Sequence, residues 1–165
     1  MTELAAIGHV RSPHRTAADT PIQARLTPDT AGSIEILPEY LPGLEGLDDF
    51  DYAWMLTLLH LDPVVDDGTD PLRPVPFLAT DPDQHVGVFA TRYPARPNPI
   101  GLSLIHIIGV DGNTVEFSGV DVVDGTPVLD IKPWVPAFDL PHRSPEPGFE
   151  DLRIGWYRDS KLGRR

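Results

Sequence analysis

LSLIHIIGVDGNTVEFS, residues Leu102 to Ser118, joins two apolar runs through Asp111-Gly112. Asp-Gly readily supplies the positive φ of a tight reversal, so the stretch reads as strand Leu102–Gly109, a turn at Asp111-Gly112, and strand Thr114–Ser118. Working outward, further strands are expected at Ala5–Val10, Ser33–Leu37, Tyr52–Leu61, Val86–Ala90 and Val128–Ile131. Leu44–Asp51 is expected to form a short helical turn, with apolar residues at Leu44, Leu47 and Phe50. Nineteen prolines and fourteen glycines in 165 residues leave little room for long helices. Short strands at near-regular spacing, separated by turn signals, predict an all-β fold: a closed or nearly closed β-barrel with short helical turns and Pro-rich loops. The barrel domain is expected over residues 1–140. Residues 141–165 then form a C-terminal tail packed on the barrel or on a partner subunit, anchored by Leu152, Ile154, Trp156 and Tyr157. Asp62–Thr80 reads as a polar surface connection.

Immediately upstream lies VGVFATRYPARPNPIGLS, Val86 to Ser103. Pro97 and Pro99 flank Asn98, fixing φ at both prolines and pushing the preceding residues extended, so this backbone is rigid and non-helical. Gly101 permits a close approach that a side chain would block. Arg92 and Arg96 each offer a planar fork of donors suited to carboxylate or phosphate. A rigid, donor-rich loop following a strand has the character of a binding site. The plainer alternative is a Pro-rich loop with solvated arginines.

Composition narrows the class. The chain has no cysteine, which excludes disulfides, thiolate zinc sites and cysteine nucleophiles and suits a cytoplasmic protein. No apolar run approaches the roughly 20 residues that span a bilayer, and MTELAAIGHVRSP lacks the pattern of a secretory signal. The formal net charge is −12 and is unevenly spread. Between Pro38 and His85 eleven acidic residues face one base, Arg73, whereas the last fifteen residues carry Arg153, Arg158, Lys161, Arg164 and Arg165 against Asp151 and Asp159. Such acidity suits a salt-rich cytoplasm, and the preference for arginine over lysine equally suits a GC-rich genome.

The core Arg96-Pro97-Asn98-Pro99-Ile100-Gly101-Leu102-Ser103 resembles the signature of the TsaA-like family, also called TrmO. Three further stretches agree in order and rough spacing: Ile7–Pro13 (IGHVRSP), Leu44–Trp54 (LEGLDDFDYAW) running on to Leu59-His60, and Asp121–Pro133 (DVVDGTPVLDIKP). The resemblance covers about residues 5 to 140. It implies the same all-β architecture as a single-sheet, closed or nearly closed β-barrel, S-adenosyl-L-methionine as cofactor, and methylation of N6 of N6-threonylcarbamoyladenosine at position 37 of the tRNA anticodon loop. It further implies a homodimer, with the site near the subunit boundary and no need of a metal. Longer bacterial members carry an additional C-terminal domain without a counterpart in this sequence, so substrate would be engaged by the barrel face, the short tail or a second subunit.

Carried over residue by residue, the resemblance implies cofactor contacts from Pro21, Ile22 and Gln23, from His60 and Leu61, from Arg92, from Leu102, and from Val123, Asp124, Gly125 and Thr126. Bacterial members often have arginine where Ile22 stands. Arg96, Asn98 and Tyr93 are expected to position the acceptor. The general base is unassigned, with His60 and Asp124 as candidates. Each residue also has a plainer reading. His60 could be a core histidine, Leu102 a core leucine, and Trp54, Trp134 and Phe138 core or interface residues. Asp121, Asp124 and Asp130 could suggest a metal cluster, but carboxylates at turns usually cap or solvate, and no octahedral pattern is evident; no metal is expected.

An acidic chain is an awkward tRNA partner, because phosphate contacts normally supply much of the affinity. At about 1 M salt the Debye length is roughly 3 Å, so distant like charges scarcely repel. Basic groups around Arg92, Arg96 and the tail remain available for phosphate. Two rivals keep the cofactor: a methyltransferase of the same fold acting on a small-molecule acceptor, and a non-catalytic S-adenosylmethionine-binding module.

Overall fold

Six antiparallel strands close on themselves in the computed structural model, which describes residues 4–60, 70–140 and 153–161. They are β1 (Gly8–Arg11), β2 (Ala31–Ile36), β3 (Tyr52–Leu58), β4 (Ile100–Asp111), β5 (Thr114–Ser118) and β6 (Pro127–Pro133). Their order around the barrel is β1-β2-β5-β4-β3-β6, closed by the pairing of Gly8 with Val128 and His9 with Pro127. Closure leaves the sheet without free edges. The expected all-β barrel is therefore what forms.

Alternation along the strands explains the core. β4 buries Ser103, Ile105 and Ile107 while Leu102, Leu104, His106 and Ile108 face outward, the period-two pattern of a strand with one face inside. Val10, Ile34, Met55, Val115, Phe117, Val120 and Val128 fill the interior with almost no exposure. Each such side chain contributes about 1.5–3 kcal/mol by leaving water. At Gly101 the backbone of β4 passes so close to β3 that an added Cβ would collide with Thr57 Oγ1.

The hairpin that decides the fold forms with its turn one residue later than expected. Asp111 already pairs with Thr114, so Gly112 and Asn113 are the two turn residues, and Gly112 takes the positive φ of 58°. A register shift between Ile107 and Gly109 marks a bulge in β4. The expected helical turn at Leu44–Asp51 appears as two 3-10 segments, Pro38–Leu44 and Leu47–Asp49.

The chain divides into two compact units. The first, 1–62 with 99–135, is the barrel. The second comprises 63–98 and 136–165, so a long excursion between β3 and β4 shares a unit with the C-terminal stretch. Within it, Val86 and Val88 N–H donate to Pro74 and Leu72 carbonyls, but the strand expected at Val86–Ala90 does not form. After Gly87 the backbone tightens into a 3-10 turn at Val88–Ala90, held by Thr91 Oγ1 donating to Val88 O at 2.8 Å. Residues 153–161 hydrogen-bond to the same excursion: Trp156 Nε1 donates to Ala90 O (2.8 Å) and Lys161 N–H to Leu78 O (3.0 Å). Phe138 is 84% exposed in the single chain, which removes the core reading for it.

Candidate functional site

Antiparallel connectivity decides which loops meet. The β1–β2 connection (12–30), the start and return of the β3–β4 connection, and the β5–β6 connection (119–126) all lie at one rim of the barrel. Leu59 N–H bonds Pro99 O at 2.8 Å, closing the neck from which the excursion leaves and returns. In the barrel unit, the segments singled out from sequence thus collect at this rim: Pro21–Gln23, His60, Leu102 near the start of β4, and Val123–Thr126.

Two aspartates of the β5–β6 connection build the rim. Asp121 Oδ2 accepts the Ala24 N–H at 2.9 Å, and its Oδ1 accepts from Ser103 Oγ at 2.5 Å. One carboxylate thereby ties the loop carrying Pro21, Ile22 and Gln23 to the strand carrying Leu102. Within that loop Gln23 Nε2 donates to Ile22 O at 2.7 Å. Nothing local in the sequence marks Asp121 for this role, because its partners lie 97 and 18 residues away.

Asp124 organises the other side. Its Oδ1 accepts the Ser12 N–H at 3.0 Å and its Oδ2 pairs with Arg15 Nη1. Its own N–H donates to His14 O at 2.9 Å, Gly125 N–H donates to Val10 O at 2.8 Å, and Thr126 Oγ1 donates to Val123 O at 2.6 Å. The Ser12 N–H, and secondarily Arg15 and Arg11, hold the Asp124 carboxyl below the usual carboxylate range, against an opposing effect of burial. Asp124 faces a shallow cavity of about 630 Å³ whose lining includes Arg11, Arg15, Ser33 and Glu116. A second cavity, about 450 Å³, opens at the opposite end beside Tyr40, Leu47 and Phe50. Neither is lined by Pro21–Gln23 or Leu102; Ile22 and Leu102 are exposed, and Pro21 and Gln23 half-buried.

Exposure separates two plain readings from the functional ones. Leu102 is 47% exposed, so it is not a core leucine, and Ile22, at the same rim, is exposed too. His60 is also exposed, beyond the end of β3, so it is not a core histidine. Leu61 lies outside the described residues. No group of three or more metal-ligating side chains occurs among the described residues.

Arg92, Tyr93, Arg96 and Asn98 belong to the second unit. Thr91 organises this loop: its Oγ1 accepts the Tyr93 N–H at 3.0 Å and its carbonyl accepts from Arg96 Nη1 at 3.3 Å. Tyr93 stacks on Phe77 with ring centroids 4.7 Å apart. Arg92 and Asn98 are exposed.

Comparison with known proteins completes the description. Residues 9–140 match the model of the tRNA-methyltransferase O N-terminal domain. A protein of Pyrococcus abyssi, named as a probable S-adenosyl-L-methionine-binding protein, is 39% identical over 153 residues, covering 91% of this chain and 73% of that one. The tRNA (adenine(37)-N6)-methyltransferase of Escherichia coli is 36% identical over 145 residues, covering 84% of this chain and 60% of the enzyme. A crystal structure of TrmO superposes with a TM-score of 0.68 at 34% identity, over 88% of this chain and 63% of the crystallised one. The chain thus spans less than two thirds of the length of the E. coli enzyme and of that crystallised TrmO.

Proposed function

The chain belongs to the tRNA-methyltransferase O N-terminal domain family, and on that premise we propose that it is an S-adenosyl-L-methionine-dependent tRNA (adenine-N6)-methyltransferase. Its acceptor on this reading is N6-threonylcarbamoyladenosine at position 37 of the anticodon loop. The observation that carries the proposal is the rim, where loops far apart in sequence are pinned together by Asp121 and Asp124 inside the matched region.

The residues at the rim suit the cofactor. Ile22 and Leu102 offer exposed apolar surface for an adenine, and the Gln23 amide offers a polar contact. Val123–Thr126, whose Asp124, Gly125 and Thr126 N–H groups are bonded within the barrel, would meet ribose or amino-acid groups with what remains of that segment. Arg92 would meet the cofactor's charged or polar end. When bound, S-adenosylmethionine supplies a methyl group activated by its sulfonium.

Methyl transfer is an in-line displacement, so the protein's task is alignment and control of the acceptor's proton. Threonylcarbamoylation makes N6 urea-like and more acidic than in plain adenosine, so a modest base suffices. His60 is proposed for that proton. Asp124 is better suited to holding Ser12 and Arg15, since those contacts suppress its basicity. Arg96 is proposed to pair with the threonine carboxylate, for which a guanidinium fork is the matching donor. Tyr93 and Asn98 then flank the base.

Incubation with labelled S-adenosylmethionine and tRNA bearing or lacking the threonylcarbamoyl group tests this. Label confined to the modified tRNA is expected. Cofactor binding with no labelling of either tRNA would sink the reading and favour a small-molecule acceptor or a non-catalytic role.

A further inference from the structure

The net charge of −12 is borne almost entirely by one of the two units. The barrel unit carries 4 Lys and Arg against 15 Asp and Glu, a net of −11, whereas the second unit carries 9 against 10, a net of −1. Among the described residues of the second unit, Arg73, Arg92, Arg153, Arg158 and Lys161 are exposed. On the barrel, two of the four cations are paired with carboxylates of the rim and β2, Arg11 with Glu35 and Arg15 with Asp124, and a third, Lys132, with Asp130.

The second unit also displays aromatic rings. Phe89 is 79% and Phe77 51% exposed, Phe77 stacks with Tyr93, and Trp156 stacks with Tyr157 at a centroid distance of 4.0 Å. The two strands of chain that supply these groups are bound to each other. Besides the Trp156–Ala90 and Lys161–Leu78 bonds, Lys161 Nζ donates to Phe77 O (3.2 Å), Thr80 Oγ1 donates to Asp159 O (3.3 Å), and Ser160 is buried. Residues 153–161 therefore bring their cations to the same unit as the Arg92–Arg96 loop.

Cations interleaved with exposed aromatic faces match what a single-stranded RNA loop presents, namely phosphates and unstacked bases. We propose that the second unit, through residues 70–98 and 153–161, is the RNA-binding surface, and that the barrel makes no net contribution to phosphate binding. The inference rests on the tRNA reading above and assigns that partner to a unit of the chain. It accounts for how so acidic a chain can hold a polyanion: the excess negative charge belongs to the barrel unit, while the second unit is close to neutral and exposes several cations.

The test uses the full chain and unmodified as well as threonylcarbamoylated tRNA, with binding measured by fluorescence anisotropy from about 50 to 400 mM salt. Arg73→Glu/Arg153→Glu is the diagnostic variant, because both side chains are exposed and neither belongs to the proposed cofactor site. Its affinity is expected to fall at least tenfold at low salt. The slope of log affinity against log salt should shrink by about 0.7–0.9 for each phosphate that the variant no longer neutralises. Phe89→Ala should weaken binding with the slope unchanged. Lys132→Glu, on the barrel, should stay within twofold of wild type. Unchanged S-adenosylmethionine affinity and melting temperature establish that each variant is folded. Wild-type affinity in the double variant, or a larger loss in Lys132→Glu, would overturn the assignment while leaving the tRNA reading standing. A wild-type protein that binds cofactor but no tRNA would overturn both.

Discussion

Asp121 accepts the backbone N–H of Ala24 at 2.9 Å, so a carboxylate from the β5–β6 connection fixes the β1–β2 loop at the residue following Gln23. Its other oxygen accepts from Ser103, the neighbour of Leu102. The bond is part-buried and charge-assisted, the kind worth more than an ordinary hydrogen bond. Its two partners carry the residues proposed to grip the cofactor, which makes Asp121 a positioning residue whose side chain need not touch the ligand.

Asp121→Ala should therefore weaken S-adenosylmethionine binding by about 1–2 kcal/mol, with a comparable loss of stability, the scale of removing a hydrogen bond to a charged group. Asp121→Asn keeps an acceptor for Ala24 and should recover part of both. Calorimetric titration paired with thermal melts checks this. Equal affinity in wild type and Asp121→Ala would show that the loop does not depend on this tie.

At Gly101 β4 passes close against β3, beside the fully buried Thr57. Gly101→Ala should destabilise the barrel by about 1–3 kcal/mol, as overpacking usually does. Thr57→Ala removes the atom in the way, so the double variant should be less destabilised than the sum of the two singles. Chemical denaturation of the four proteins gives the coupling; strict additivity would mean that the two residues do not conflict.

How much of this is legible in the sequence depends on the range of the interaction. Thr114–Ser118 reads correctly to the residue, since a strand following Asp-Gly is specified by its own few residues. The turn itself reads one residue early because Asp111 can either open a turn or end a strand, and pairing with Thr114 decides for the strand. Val86–Ala90 has the composition of a strand, but it has only the irregular 72–74 stretch to bond, and past Gly87 the local Thr91–Val88 bond wins. The plainer core readings of Leu102 and His60, and the core half of the core-or-interface reading of Phe138, fail because burial depends on tertiary surroundings: all three are exposed. The joining of 153–161 to the excursion and the tie from Asp121 to Ala24 span 66 or more residues, a range at which sequence carries no period or cap to read.

Arg92 is exposed in the second unit, and the family resemblance implies a cofactor contact for it, so on that reading its guanidinium serves the cofactor. Arg92→Ala is expected to cost about 1–3 kcal/mol of cofactor affinity, the range for losing a charged hydrogen bond. Its melting temperature without ligand should stay close to wild type. Unaltered cofactor affinity would reassign Arg92 to the acceptor, and Arg92→Ala would then raise the KM for tRNA.

Asp124 gives a prediction in pH. Its carboxyl is held below the usual range chiefly by the Ser12 N–H, with Arg15 and Arg11 adding attraction. Arg15 is 71% exposed, so its share is screened by solvent and Arg15→Ala should change stability little. A depressed folded pKa means that the unfolded chain takes up the proton first as pH falls. The stabilisation is thus complete well above the unfolded value of about 3.9 and is lost as pH drops through the folded value. Asp124→Asn retains an oxygen for Ser12 but not the charge, so wild type should melt higher than the variant by a constant margin from pH 8 to about pH 5. That margin should narrow below about pH 4 as Asp124 itself becomes protonated. Melting both proteins across this range in one buffer series decides the matter: a margin unchanged at pH 3, or one that disappears near pH 6, would show that the Asp124 charge is not what secures the Ser12 loop.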